Sequence, residues 1–153
     1  MTKAYEYRHT VSFEETNFLG NAYYAHFVRW QGICREMFLR DQAPEILPQL
    51  EHGLVLSTVR CSCQYFAELK ALDTVLIRMK LASVVWNRLL LQFEYLRVRD
   101  GQSEEVAFGE QEIACLERKG EETAARDPAR SSPSTRAGRS GWSPRIRAAR
   151  SPP

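Results

Sequence analysis

The sequence predicts an α+β domain in which an antiparallel β-sheet wraps around one long central α-helix. Three observations predict it. A single alternating segment, residues 5–13, is followed by one run of helical periodicity, 22–41, and then by four more alternating segments with short turns between them. Strands that follow one another through short turns pair antiparallel. A lone helix with a wide apolar face must be buried against the sheet they form.

In the first segment Tyr5, Tyr7, His9, Val11 and Phe13 share one phase, while Glu6, Arg8, Thr10 and Ser12 share the other, as in a strand with one buried face. Residues 14–21 are polar and include Gly20, so they read as a loop. Along 22–41, Phe27, Trp30, Cys34 and Met37 recur at helical spacing with Phe38 beside them. Gly32 interrupts this helix at a local penalty of about 1 kcal/mol, which suits a place where another backbone passes close by. Residues 41–53 hold Pro44 and Pro48 and read as a connection. The strand at 54–66 is expected to put Val55, Val59, Cys61, Cys63 and Tyr65 on one face; that at 74–85, Val75, Ile77, Met79, Leu81 and Val85. The strand at 88–99 offers Leu89, Leu91, Phe93 and Tyr95, and 106–117 is more polar. Residues 69–73, Trp86-Asn87 and Asp100-Gly101 are the turns between them.

The division predicted is one domain over 1–118 and a tail over 119–153. Five of the seven prolines lie in the tail, where only Trp142 and Ile146 are large apolar residues. Such a composition does not bury enough surface to offset its ordering entropy, so the tail is expected to be disordered. The first 118 residues carry 13 basic and 16 acidic side chains, and the tail 8 and 3. The basic tail has single arginines among Ala, Ser, Gly and Pro, a pattern that does not suggest a nucleic-acid partner. No apolar run approaches the length of a membrane span, and the N-terminus has no apolar core of a signal peptide, so a cytoplasmic protein without a membrane partner is expected. Cys34, Cys61, Cys63 and Cys115 form no C-x-x-C pair and have no His at ligand spacing; they read as small core hydrophobes, and neither metal nor cofactor is expected.

Residues 13–27, FEETNFLGNAYYAHF, join the first strand to the helix. A helix N-terminus presents unpaired N–H groups and a partial positive charge, both suited to the oxyanion formed when a thioester carbonyl is attacked. The stretch resembles the signature of the 4-hydroxybenzoyl-CoA thioesterase group of hot-dog proteins: an acidic–Thr–Asp run, two residues, Gly, two residues, Tyr. Glu15-Thr16, Gly20 and Tyr23 match it, and Asn17 stands where that group has its catalytic Asp. An amide cannot serve as a general base or carboxylate nucleophile. Three further runs, Arg29-Trp30-Gln31-Gly32, Cys34-Arg35-Glu36-Met37-Phe38 and Tyr65-Phe66-Ala67-Glu68-Leu69, together with 109–115, resemble the thioesterases of enediyne polyketide biosynthesis over about residues 5–118. That family has Asn in place of the acid and a functional helix Arg, which fall here on Asn17 and Arg35.

The resemblance implies a hot-dog fold and hydrolysis of a polyene β-keto acyl thioester from the acyl carrier protein domain of an enediyne polyketide synthase, with decarboxylation of the released acid. It implies Asn17 and Arg35 as catalytic residues, and Tyr23, Tyr24, His26 and Phe27 as the oxyanion and substrate-binding set. It also implies a homodimer and leaves a dimer of dimers open. Phe27 occupies a position where many relatives of this fold have tyrosine. From the residues alone, Arg35 reads as a salt-bridge partner of an acid on a neighbouring strand or subunit, Asn17 as a turn residue bonding its own backbone, and His26 as either a substrate contact or a core histidine. Glu36 and Arg40 read as a solvated helix pair, and Glu68 or Asp73 as a base that a second subunit would lend. The other readings open at this point are a general acyl-CoA thioesterase and a non-catalytic acyl-binding or synthase-docking partner.

Overall fold

The computed structural model describes residues 3–128. Six strands form one antiparallel sheet: β1 (Tyr5–Thr10), β2 (Leu54–Tyr65), β3 (Thr74–Val85), β4 (Arg88–Arg99), β5 (Gln102–Lys119) and β6 (Glu122–Ala125). Their order is β1-β3-β4-β5-β2, with β6 also paired to β5. Helix α1 (Ala25–Gln42) connects the two edge strands, β1 and β2, by crossing one face of the sheet, and the short α2 (Ile46–Glu51) lies inside the predicted connection. The sheet closes on α1 through Phe27, Trp30 and Cys34 from the helix and Val75, Ile77, Phe93, Tyr95, Val106 and Ile113 from the strands. This is the hot-dog arrangement the sequence predicts.

Three details differ from the sequence reading. A bulge at Val59, between the pairs of Thr58 and Arg60, inserts one residue into β2. A bulge reverses the alternation beyond it. Leu54 and Leu56 therefore turn inward before it, and Cys63 and Tyr65 after it, while Val59 is 49% exposed. A second bulge, between the pairs of Leu81 and Ser83, does the same in β3 and leaves Val85 exposed rather than inward. Strand β6, placed by the sequence in the tail, pairs Leu116–Lys119 of β5 with Glu122–Ala125, so ordered chain continues past residue 118. The reading of 119–153 as disordered does not hold for these residues, and its remainder, 129–153, lies outside the described residues.

Gly32 also has a different setting from the one expected. A Cβ there would meet nothing within 4 Å outside its own helix. The close approach is at Gly109 on β5, where a Cβ would lie 2.1 Å from Gln31 Nε2 and 3.0 Å from the Ser62 carbonyl oxygen. The glycine that admits the helix thus lies in the sheet. Arg40 bonds Asp41 at 2.6 Å, not Glu36.

Candidate active site

One buried carboxylate fastens the loop that leads from β1 to α1. Glu15 is 5% exposed and accepts hydrogen bonds from the Ser12 backbone N–H (2.9 Å) and the Trp30 indole N–H (2.8 Å). His9 Nε2 lies 2.8 Å from Glu15 Oε2 and 3.1 Å from Oε1. Burial alone would raise its pKa, but these donors and the neighbouring imidazole outweigh it and bring it down to about 2. The Glu15 carbonyl in turn accepts the Tyr23 N–H at 2.8 Å, and Thr16 bridges to Ala22. Strand β1, the loop and the middle of α1 are thereby held to one another.

Within that loop Asn17 is both exposed and structurally engaged. Its Oδ1 accepts from the N–H of Leu19 (2.9 Å) and of Asn21 (3.3 Å). Its own N–H donates to the Asn21 carbonyl, and its carbonyl accepts from Gly20, whose φ of +84° closes the turn. The turn-residue reading is therefore correct for Oδ1. The Nδ2 amide meets no acceptor among the described residues, which leaves Asn17 a hydrogen-bond donor and not a proton acceptor.

The start of α1 has no side-chain cap. The Tyr23 N–H is spent on Glu15, but the N–H groups of Tyr24 and Ala25 meet no acceptor among the described residues. Tyr23 and Tyr24 expose their rings, 4.5 Å apart, and the Tyr24 carbonyl accepts the Tyr65 hydroxyl at 2.9 Å. His26 is half-buried, its ring 6.4 Å from that of Tyr23. Phe27, expected beside the substrate, is 3% exposed and sits in the core between Trp30, Tyr65 and Tyr95. Its phenyl ring fills the helix–sheet interface.

Arg35 lies further along α1, facing β2 and β5. Its Nη1 donates to Thr58 Oγ1 (3.1 Å) and Gln111 Oε1 (3.3 Å), and its Nε is buried with no partner. No acid of a neighbouring strand pairs with it among the described residues: both partners are neutral. One turn earlier, Gln31 is buried, with Nε2 bonded to the Ser62 carbonyl and Oε1 without a partner. Asn17 and Arg35 do not touch. Ten residues of helix separate Ala25 from Arg35, a rise of about 15 Å. Asp73, considered as a base for a second subunit, is held by the Lys70 N–H and Arg99, both at 2.9 Å.

Residues 11–138 match the model of the thioesterase-like superfamily. The chain belongs to that family. No curated protein sequence matches it. Among solved structures, the dynemicin thioesterase, described with polyene binding, is similar at 42% identity and a TM-score of 0.78, over 82% of this chain and 89% of that one. The 4-hydroxybenzoyl-CoA thioesterase of Pseudomonas sp. strain CBS-3 matches at 16% identity and a TM-score of 0.71, over 82% of this chain and 94% of that one. The DHNA-CoA thioesterase of Staphylococcus aureus matches at 12% and 0.70, over 80% of each. These two share the fold. The resemblance to enediyne and 4-hydroxybenzoyl-CoA thioesterases stands, and the activity is thioester hydrolysis.

Neither Cys34 nor Cys63 has the character of a reactive nucleophile. Burial pushes the Cys34 thiol up to about 12 and that of Cys63 to about 11, far from the thiolate range a nucleophile needs. Cys61, read from sequence as a core residue, is exposed. Sequence reasoning missed Thr58, Gln111 and the anchoring part of Glu15. For Glu15 the signal was present in the Ser-x-x-Glu spacing of a capping box. Gln111 carried none, because only the register of β5 brings it under Arg35. Among the described residues, no helix is long and apolar enough to cross a membrane.

Proposed function

We propose that the thioesterase hydrolyses a polyene β-keto acyl chain from the acyl carrier protein domain of an iterative enediyne polyketide synthase, and that the freed β-keto acid then loses CO2. The observation that carries this reading is the 42% identity to a thioesterase described with bound polyene. In this reading the thioester carbonyl lies at the start of α1, where the Tyr24 and Ala25 N–H groups accept its developing negative charge. The free amide of Asn17 donates to the attacking water and holds it at the carbonyl carbon. Water adds, the C–S bond breaks, and the thiolate leaves with the proton the water gives up. With an amide at position 17 in place of a carboxylate base, hydrolysis is expected to be slow. Arg35 holds the oxygen of the acyl chain's β-keto enolate or the carboxylate of the freed acid.

Asn17 and Arg35 do not touch within one chain, and the reading takes the unit to be a homodimer. The outer edge of β2, a 12-residue strand paired only on its β5 side among the described residues, supports this. A cytoplasmic setting goes with this reading.

The test loads the synthase's carrier protein with its own polyene chain and follows loaded and free carrier by mass spectrometry. Wild type is expected to unload the carrier faster than the blank, with Asn17→Ala and Arg35→Ala each slower by at least tenfold. Unloading by wild type and both variants alike would remove these residues from the site. Binding of the loaded carrier without unloading would make the protein an acyl-binding partner instead.

A further inference from the structure

The strand sequence Glu110-Gln111-Glu112 places two acids on one face of β5 and an amide on the other. Glu110 bonds Gln92 at 3.0 Å, and Glu112 lies near Arg60 and Arg88. Gln111, between them, is 4% exposed and points toward α1. There it meets Arg35. A partly buried guanidinium ordinarily sits against a carboxylate, because an uncompensated charge away from water is unfavourable. At this position a carboxylate would need only one atom of Gln111 exchanged, with the same shape and reach. Thr58, the other contact, is neutral as well, and it faces Arg35 from before the β2 bulge. No acid among the described residues forms an ion pair with Arg35, and its buried Nε is unmatched. Burial disfavours its charged form, and only the adjacent Glu36 acts the other way.

We propose that Gln111 is a positioning residue whose neutral amide, with the Thr58 hydroxyl, holds the Arg35 guanidinium in place without neutralising it, so that its charge is available to a carboxylate or enolate oxygen of the bound acyl chain. The inference deepens the proposed function and rests on Arg35 facing the acyl chain. Neutral acceptors orient the planar donor fork, while the missing counter-ion is supplied by the ligand. A carboxylate in place of the amide would occupy the charge permanently.

Gln111→Glu tests this, with Gln111→Met as the variant that keeps volume and removes the acceptor. Binding of sorbate and of sorbamide to the full chain is measured by titration calorimetry, and unloading of an acyl carrier is followed alongside. Wild type is expected to bind sorbate at least tenfold more tightly than sorbamide. Gln111→Glu is expected to abolish that preference, to raise Tm and to slow unloading at least tenfold. Gln111→Met is expected to weaken the preference for the anion without abolishing it, since one of the two acceptors that place the guanidinium is gone. A Glu variant that retains both preference and turnover would overturn the proposal. So would a Met variant with wild-type preference and turnover, since the amide acceptor would then hold nothing and Gln111 would act through packing alone. Should wild type fail to unload the carrier while the sorbate preference is still lost only in Gln111→Glu, the hydrolytic reading would fall and the role of Gln111 would stand.

Discussion

At Glu15 a single carboxylate collects the Ser12 N–H, the Trp30 indole and His9, and these tie the loop to the helix. Its pKa falls from the ordinary 4.5 to about 2. A carboxylate whose folded pKa is lowered stabilises the fold above its unfolded pKa and ceases to do so as the pH falls through the folded one. The window is therefore between about pH 4.5 and 2. Wild type is expected to lose Tm steeply across that window, while Glu15→Gln starts lower at pH 7 and loses less. Parallel loss in both proteins, followed by circular dichroism, would show that the charge of Glu15 contributes nothing. Asn17 was legible as a candidate site residue only through family resemblance; its turn role followed from its type alone, and its Oδ1 serves that turn.

Helix α1 and strand β5 meet where Gly109 leaves room for Gln31. Gly109→Ala is expected to destabilise the protein by about 1–3 kcal/mol, since the new methyl group would press on a buried side chain and the Ser62 carbonyl. Gly32→Ala, where a Cβ meets open space, is expected to stabilise it by about 0.5–1 kcal/mol through helix propensity. Chemical denaturation of the two variants checks both signs; equal effects would mean that helix and sheet adjust freely at their contact. The elements themselves were readable because alternation and helical spacing are local patterns. The inward phase of β3 was readable as far as the bulge before Ser83, and that of β2 only beyond the bulge at Val59, where Cys63 and Tyr65 turn inward. An inserted residue is specified by pairing with the neighbouring strand, so the strand's own sequence does not mark it.

At the scale of the whole molecule, α1 carries the chain from one sheet edge to the other, and β6 extends β5 beyond the end of β4. Truncation after Arg118 is expected to lower Tm by several degrees relative to truncation after Pro128, because it removes the β6 pairing and the Arg126 N–H bond to the Cys115 carbonyl. Identical melting of the two would mean that β6 adds nothing to the fold.

The sequence by itself determined the fold class, the order of the principal elements, and the loop and helix start where the thioester chemistry is placed, because periodicity, turn residues and the Glu15–Tyr23 motif are written in neighbouring residues. Only the tertiary structure decided that Arg35 meets Thr58 and Gln111 instead of an acid, that Phe27 belongs to the core, and that Gly109 rather than Gly32 admits the helix. Each of these depends on which residue of one element lies opposite which residue of another. That register is set by packing over long sequence separations and leaves no mark in any single segment.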